Sequence, residues 1–219
     1  MKKHLEALKR SPLFEGIQED ELLTMLSCLG ARLGHFDKKY TILAEGSPAR
    51  FIGVMLSGSA QLLQIDYYGN RSILSSIHAS EVFAEAFACA GTESIPVSVV
   101  ASEPCEVMLI DASHVMHTCK NHCVFHQRLI FNLMKDLATK TLLFHQKLEI
   151  TSRKTTREKL LAYLSLETKR AGSRHFTIPF DRQELADYLC VDRSGLSAEI
   201  GKMRREGILE SHKNEFELL

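Results

Sequence analysis

Cys119, His122, Cys123 and His126 stand at spacings of 0, 3, 4 and 7, which puts all four on one face if the segment is helical. Thiolates and imidazoles together suit zinc, copper or iron, and Cys105, His114 and His117 are close in sequence. A straight helix seldom offers four ligands to one ion, and His and Cys are frequent in partly buried seams. Packing is therefore the first reading of this face, with a metal, haem or thiol-redox role second. The other chemical stretch is EVFAEAFACAGTESIPVSVVA, residues 81–101. It sets an acid, Glu85, between Ala84 and Ala86 in a turn of small residues, and a β-run closes fifteen residues later. Where a bound phosphate would need a cation, it offers Ile95, Pro96 and Val97. Such a pocket suits an aromatic or other uncharged molecule, with Glu85 binding a donor or capping a backbone turn.

These residues need elements to position them. A chain of 219 residues, 45% hydrophobic and 25% charged, has ordinary globular composition and a length that suits two modest domains. No apolar run reaches the ~20 residues that span a bilayer. The start, MKKHLEALKRSPLF, reads as a short amphipathic helix with a Ser-Pro stop and lacks a signal peptide's apolar centre. The expected location is the cytoplasm, with no membrane partner. Six cysteines without dense spacing fit reduced thiols better than a disulfide framework. The formal net charge is zero, so any nucleic-acid reading rests on local pattern.

From Tyr40 to Asp111 the runs YTILAEG, FIGVMLSG, SAQLLQIDYYGNR, SILSSI and VSVVASEPCEVMLI are rich in Val, Ile, Leu and aromatics and are separated by turn signals. They predict a barrel or jelly roll. From His114 to Ile150 there is no Gly or Pro, and Leu129, Leu133, Leu137, Thr141, Phe144 and Leu148 recur at near-heptad spacing. This predicts one helix of roughly 25–30 residues whose seam pairs with a second copy in a parallel coiled coil. The alternative is that the seam packs on its own β-domain. SRKTT then interrupts the pattern, Thr155 or Thr156 can cap REKLLAYLSLETKRAG, and Gly172 ends that helix.

In residues 176–219, Asp181 can cap a short helix from Arg182 to Tyr188, LCVD turns the chain, and Arg193 to Glu206 forms a second helix with Leu196, Ile200 and Met203 inward. ILESH and EFELL read as two strands around Lys213-Asn214. This is a winged helix-turn-helix pattern, in which the first helix braces the second and the second offers its N-terminal residues to the major groove.

With these residues in view, the whole chain resembles the Crp/Fnr family of transcription regulators, most strongly in RQELADYLCVDRSGLSAEIGKMRREGIL and in the β-region up to FAEAF. The resemblance implies an α+β chain with an effector-sensing double-stranded β-helix, or jelly roll, over 1–113. A dimerisation helix over 114–150 and a winged helix-turn-helix over 151–219 follow. It implies a homodimer without enzymatic activity that binds a pseudo-palindromic operator in double-stranded DNA and works with RNA polymerase. The family's base-reading positions fall on Ser194, Ser197 and Ala198, with Arg193 beside them. Family members commonly carry at the place of Ala198 an arginine that reads guanine, which alanine cannot do. Either Arg193 reads the base, or phosphate contacts from Lys202, Arg204 and Arg205 hold the affinity while specificity comes from shape. The bland reading of Lys202 to Arg205 is a solvated helix end that suits the dipole.

Cyclic-nucleotide-binding relatives use a glutamate for the ribose hydroxyl and an Arg-Ser or Arg-Thr pair for the phosphate. Glu85 matches the glutamate. Ile95-Pro96, in place of the pair, brings no charge, no hydroxyl and, at Pro96, no backbone donor. An unpaired buried phosphate costs several kcal/mol, so cyclic AMP is not the expected effector. The oxygen-sensing branch has its cluster cysteines near the N-terminus, where this chain has only Cys28, which disfavours an iron–sulfur sensor of that type. Two other classes remain as alternatives: a constitutive DNA-binding protein with a structural β-roll, and a cupin-like metalloenzyme. The second is opposed by the single histidine, His78, between Tyr40 and Asp111.

Overall fold

Residues 4–65, 67, 71–116 and 124–219 are described by a computed structural model. The chain divides into two units, Met1–Thr139 and Lys140–Leu219. That division falls inside the segment expected to be the dimerisation helix.

Among the described residues, eight strands build the first unit: β1 (Arg32–Phe36), β2 (Thr41–Leu43), β3 (Phe51–Ser57), β4 (Ala60–Ile65), β5 (Arg71–Ile77), β6 (Val82–Phe83), β7 (Ser98–Ala101) and β8 (Cys105–Asp111). They form two antiparallel four-stranded sheets, ordered β1-β8-β3-β6 and β2-β7-β4-β5, so the double-sheet roll expected from the turn spacing is present. Strand β3 shows how the layers are held. Ile52, Val54 and Leu56 point to one side and join Leu8, Leu13, Phe14, Leu22 and Leu26 from the N-terminal segment. Met55 points to the other side and joins Phe83, Ile95, Val97, Val99 and Val107 inside the roll. Each such side chain contributes on the order of 1.5–3 kcal/mol by leaving water. Gly53 of β3 faces Phe83 of β6, whose ring would lie 2.1 Å from any added Cβ, so only glycine admits that packing.

Helices α1 (Leu5–Arg10) and α2 (Glu19–Cys28), then α3 (Glu85–Ala90), α4 (Ala112–Met116) and α5 (Val124–Thr151), complete the first unit, α5 continuing into the second. β1, β6, α2 and α3 go beyond the sequence expectation: α2 and β1 lie before the expected β-region, β6 has two residues, and Glu85–Ala90 reads from sequence as a turn of small residues. At the end of β8, Asp111 is clamped. Its carboxylate accepts the Arg50 Nε–H at 2.6 Å and the Ser113 amide and hydroxyl at 3.0 and 2.7 Å. Burial opposes its ionisation, but these donors prevail and hold its pKa at about 2.

The long helix corrects one expectation. Leu129 and Leu133 are buried in the core that α1 and α2 share with the roll, and Leu137 packs against that core. On the same side, the Asn132 amide donates to the carbonyls of Leu13 (3.1 Å) and Glu15 (2.8 Å). The first half of the expected seam therefore faces its own unit. Helix α5 carries a second apolar face, and periodicity alone cannot say which of two faces is covered from within.

The second unit contains α6 (Thr156–Ala171), β9 (His175–Thr177), α7 (Arg182–Leu189), α8 (Arg193–Arg205), β10 (Leu209–His212) and β11 (Glu215–Leu218), with sheet order β10-β11-β9. Thr155 and Glu158 form a reciprocal capping box at the start of α6, and Gly172 ends it with φ 62°. The core gathers Leu160, Tyr163 and Leu164 of α6 with Leu185, Leu189, Leu196, Ile200, Met203 and Phe216. β9 alternates in burial but was missed because three residues before Ile178-Pro179 are too few to declare a strand.

Candidate nucleic-acid interface and effector pocket

Local sequence sets the angle of the helix pair. Asp181 and Glu184 exchange bonds with each other's amides at 2.8 and 2.7 Å and start α7. Cys190 adopts a left-handed φ of 52°, and the Val191 amide donates to the Ala186 carbonyl at 3.0 Å, which turns the chain. Asp192 then caps α8 by accepting the Gly195 amide at 2.9 Å and the Ser194 hydroxyl. Those bonds hold the Asp192 carboxyl below its ordinary pKa. Leu196, Ile200 and Met203 anchor α8 in the core. From α6, Arg157 reaches Glu199 at 2.6 Å and Glu206 at 2.7 Å, so it fastens the middle and the end of α8 together.

The outward face of α8 presents Arg193, Ser194, Ser197, Ala198, Lys202, Arg204 and Arg205, all exposed. Arg204 is engaged with Glu210 of β10 at 3.0 Å, a surface pair worth about 0–1 kcal/mol and easily exchanged for a phosphate. Two further cations escaped the sequence reading. Arg182, half-buried at the start of α7, donates to the Lys213 carbonyl at 3.4 Å and lies 5.6 Å from the centre of the Phe216 ring. Burial, and then the charge of Arg193, lowers its pKa. Lys213 sits at the tip of the β10–β11 hairpin with φ 53°. The available signal was positional: the first turn of the bracing helix and the tip of the wing.

In the first unit, β6 runs into α3 through Ala84, a non-glycine residue at φ 61°, and this turn carries Glu85 inside, where it is 4% exposed. Burial, and then the charge of Glu85, raises the pKa of the neighbouring Cys89 thiol. Ala84, Ile95 and Val97 are buried in the apolar interior of the roll, whereas Ala86 and Pro96 face solvent. Among the described residues, clefts of about 310 and 270 Å³ open beside His35 and Glu106 and beside Gln146 and Arg153. Of the four residues considered for a metal, Cys119, His122 and Cys123 lie outside the described residues. His126 is buried in α5, and its Nε2 donates to the Val115 carbonyl of α4 at 3.1 Å. Among the described residues no group of three or more His, Cys, Asp or Glu could hold a metal ion, and no helix is long and apolar enough to cross a membrane.

Comparison with known proteins agrees with this geometry in both units. Residues 33–122 match the cyclic nucleotide-binding domain and residues 158–219 the Crp-like helix-turn-helix domain. The transcriptional activator protein FnrL of Cereibacter sphaeroides is 22% identical over 184 residues, 77% of this chain and 68% of that protein. The structure of FixK2 from Bradyrhizobium japonicum aligns with a TM-score of 0.54 at 19% identity, over 86% of this chain and 92% of that one. The c-di-GMP responsive global regulator CLP of Xanthomonas campestris aligns at 0.61 and 15%, over 90% and 98%. A roll followed by a DNA-reading module, matched in the same order along one chain, describes a regulator and not an enzyme: the chain belongs to the Crp/Fnr family of transcription regulators.

Proposed function

We propose that this regulator works as a homodimer on a pseudo-palindromic operator, with the roll admitting a small effector other than a cyclic nucleotide. The observation that carries the dimer is the second face of α5. Phe131, Met134, Ala138, Thr141, His145 and Leu148 follow alternating steps of three and four residues, and all six are exposed. Phe131, Met134 and Leu148 are 56%, 57% and 54% exposed, an unusual position for large apolar side chains. Alternating three- and four-residue spacing is what a two-stranded coiled coil buries. This seam replaces the one through Leu129, Leu133 and Leu137 and keeps Thr141 and Leu148; Leu142, Leu143 and Phe144 add exposed apolar surface beside it. Two α8 helices related by a two-fold axis would then read two inverted half-sites. Sedimentation of the chain with and without a bound duplex tests the stoichiometry: two chains per duplex support the proposal and one opposes it. RNA polymerase and a cytoplasmic location follow from the same proposal.

Ile95 and Pro96 support the effector reading, because they offer a phosphate neither charge nor hydroxyl. Millimolar cyclic AMP or cyclic GMP is expected to leave the melting temperature and DNA affinity unchanged; calorimetric binding tighter than about 100 μM, roughly −5.5 kcal/mol, would contradict this. The packing of Ile95 and Val97 into the roll interior favours a second reading, a constitutive DNA-binding protein whose roll is structural. Melts against a metabolite library separate the two, because an effector raises the melting point by mass action.

A further inference from the structure

We propose that Ala198 reads a thymine, its methyl group packing against the C5-methyl of one thymine in each half-site. The inference rests on the DNA-reading role of α8 and names a base that this helix selects. On the outward face the long cations stand towards the two ends of the helix, Arg193 at the start and Lys202 and Arg205 in the last turns. Between them the exposed side chains are no longer than a hydroxymethyl group, at Gly195, Ser197 and Ala198, with Gly201 half-exposed beside them; Glu199 is turned to Arg157 of α6, and Leu196 and Ile200 are buried. The Ser194 hydroxyl is already donated to the Asp192 carboxylate.

Neither glycine has a cause inside the protein. Both are helical without positive φ. An added Cβ would come no closer than 3.8 Å, to the Asp192 carboxylate at Gly195 and to the Arg205 guanidinium at Gly201, which is ordinary contact. Glycine weakens a helix interior, so an exposed Gly195 and a half-exposed Gly201, on either side of Ala198, are explained by what must approach that side of the helix. A helix without protruding side chains there can settle close to the floor of the major groove. At that distance Ala198, exposed and midway between the glycines, offers the bases only a methyl group.

The edges of the bases then decide. Guanine and adenine present atoms that require a donor or acceptor from the protein, and cytosine presents an amino group; alanine satisfies none of them. Thymine alone presents a methyl group, which gains by leaving water against another.

The test uses the full chain and a duplex enriched by it from a random pool. Each thymine is replaced in turn by deoxyuridine, which removes the methyl and nothing else. One thymine per half-site is expected to show about fourfold weaker binding on replacement, the effect of one buried methyl. In Ala198→Gly the same replacement should have no effect, and the helix-weakening by glycine cancels because both duplexes meet the same variant. Ala198→Ser, which keeps helix propensity better, should bring the thymine-to-uracil ratio towards one and serves if the glycine variant does not fold. Wild-type indifference to deoxyuridine at every position, or discrimination that survives in both variants, overturns the thymine contact while leaving DNA reading intact. Failure to enrich any sequence overturns the DNA reading and the thymine contact together.

Discussion

The two units place their charged groups in opposite ways. The first turns an acid inward, with Glu85 inside a roll otherwise lined by Ile95, Val97 and Val99, and holds another buried acid, Asp111, with donors from Arg50 and Ser113. The second keeps charge at the surface: Arg157 with Glu199 and Glu206 and Arg204 with Glu210 hold α8, while Arg193, Lys202 and Arg205 stand exposed. A buried carboxylate is costly and selective, so it suits a small partner admitted singly or a purely structural task. Exposed cations on a rigid helix act on any phosphate chain that comes near, and such contacts position the helix without reading sequence.

The largest effects should come from breaking one core and sparing the other. Leu196→Ala is expected to cost about 2–5 kcal/mol and to abolish DNA binding while the first unit keeps its own melting transition, as calorimetry would show. Leu133→Glu should do the reverse and unfold the first unit, because it buries an unpaired charge beneath α1 and α2. By contrast, Phe131→Glu with Met134→Glu should leave both units folded and yield monomers in sedimentation; an unchanged dimer would move the interface off α5.

A smaller effect is expected at Asp111. Its folded pKa of about 2 lies below the ordinary 3.8, so its contribution is present above about pH 4 and lost as pH falls towards 2. Asp111→Asn should cost the first unit about 1–3 kcal/mol near neutrality and flatten that acid limb, with no change in the second unit. The smallest effects belong to single surface cations. Lys202→Ala and Arg205→Ala should each weaken binding on all duplexes alike and reduce the salt slope by about one, while Arg204→Ala, already shared with Glu210, should change less.

The second unit was legible because its signals are local. Asp181 with Glu184, Thr155 with Glu158, the inward spacing of Leu196, Ile200 and Met203, and Gly172 each state a helix boundary or face within a few residues. The roll was legible as a set of short runs, but its two-residue strand β6 and its edge strand β1 carry too little alternation to declare themselves. What sequence could not decide was the allocation of faces on α5. Leu129 and Leu133 are no more apolar than Phe131 and Met134, and only contact with Leu13, Leu22 and Leu26, more than a hundred residues away, makes the first pair internal. Arg182 was missed for a similar reason, since its neighbours Lys213 and Phe216 come from the other end of the module.

The most direct measurement is selection of duplexes from a random pool by the full chain, followed by sequencing of what is retained. Two exposed recognition helices brought together through the outward seam of α5 predict an inverted repeat whose half-site centres lie about 34 Å, one turn of DNA, apart. Recovery of a single half-site without its inverted partner would contradict the account.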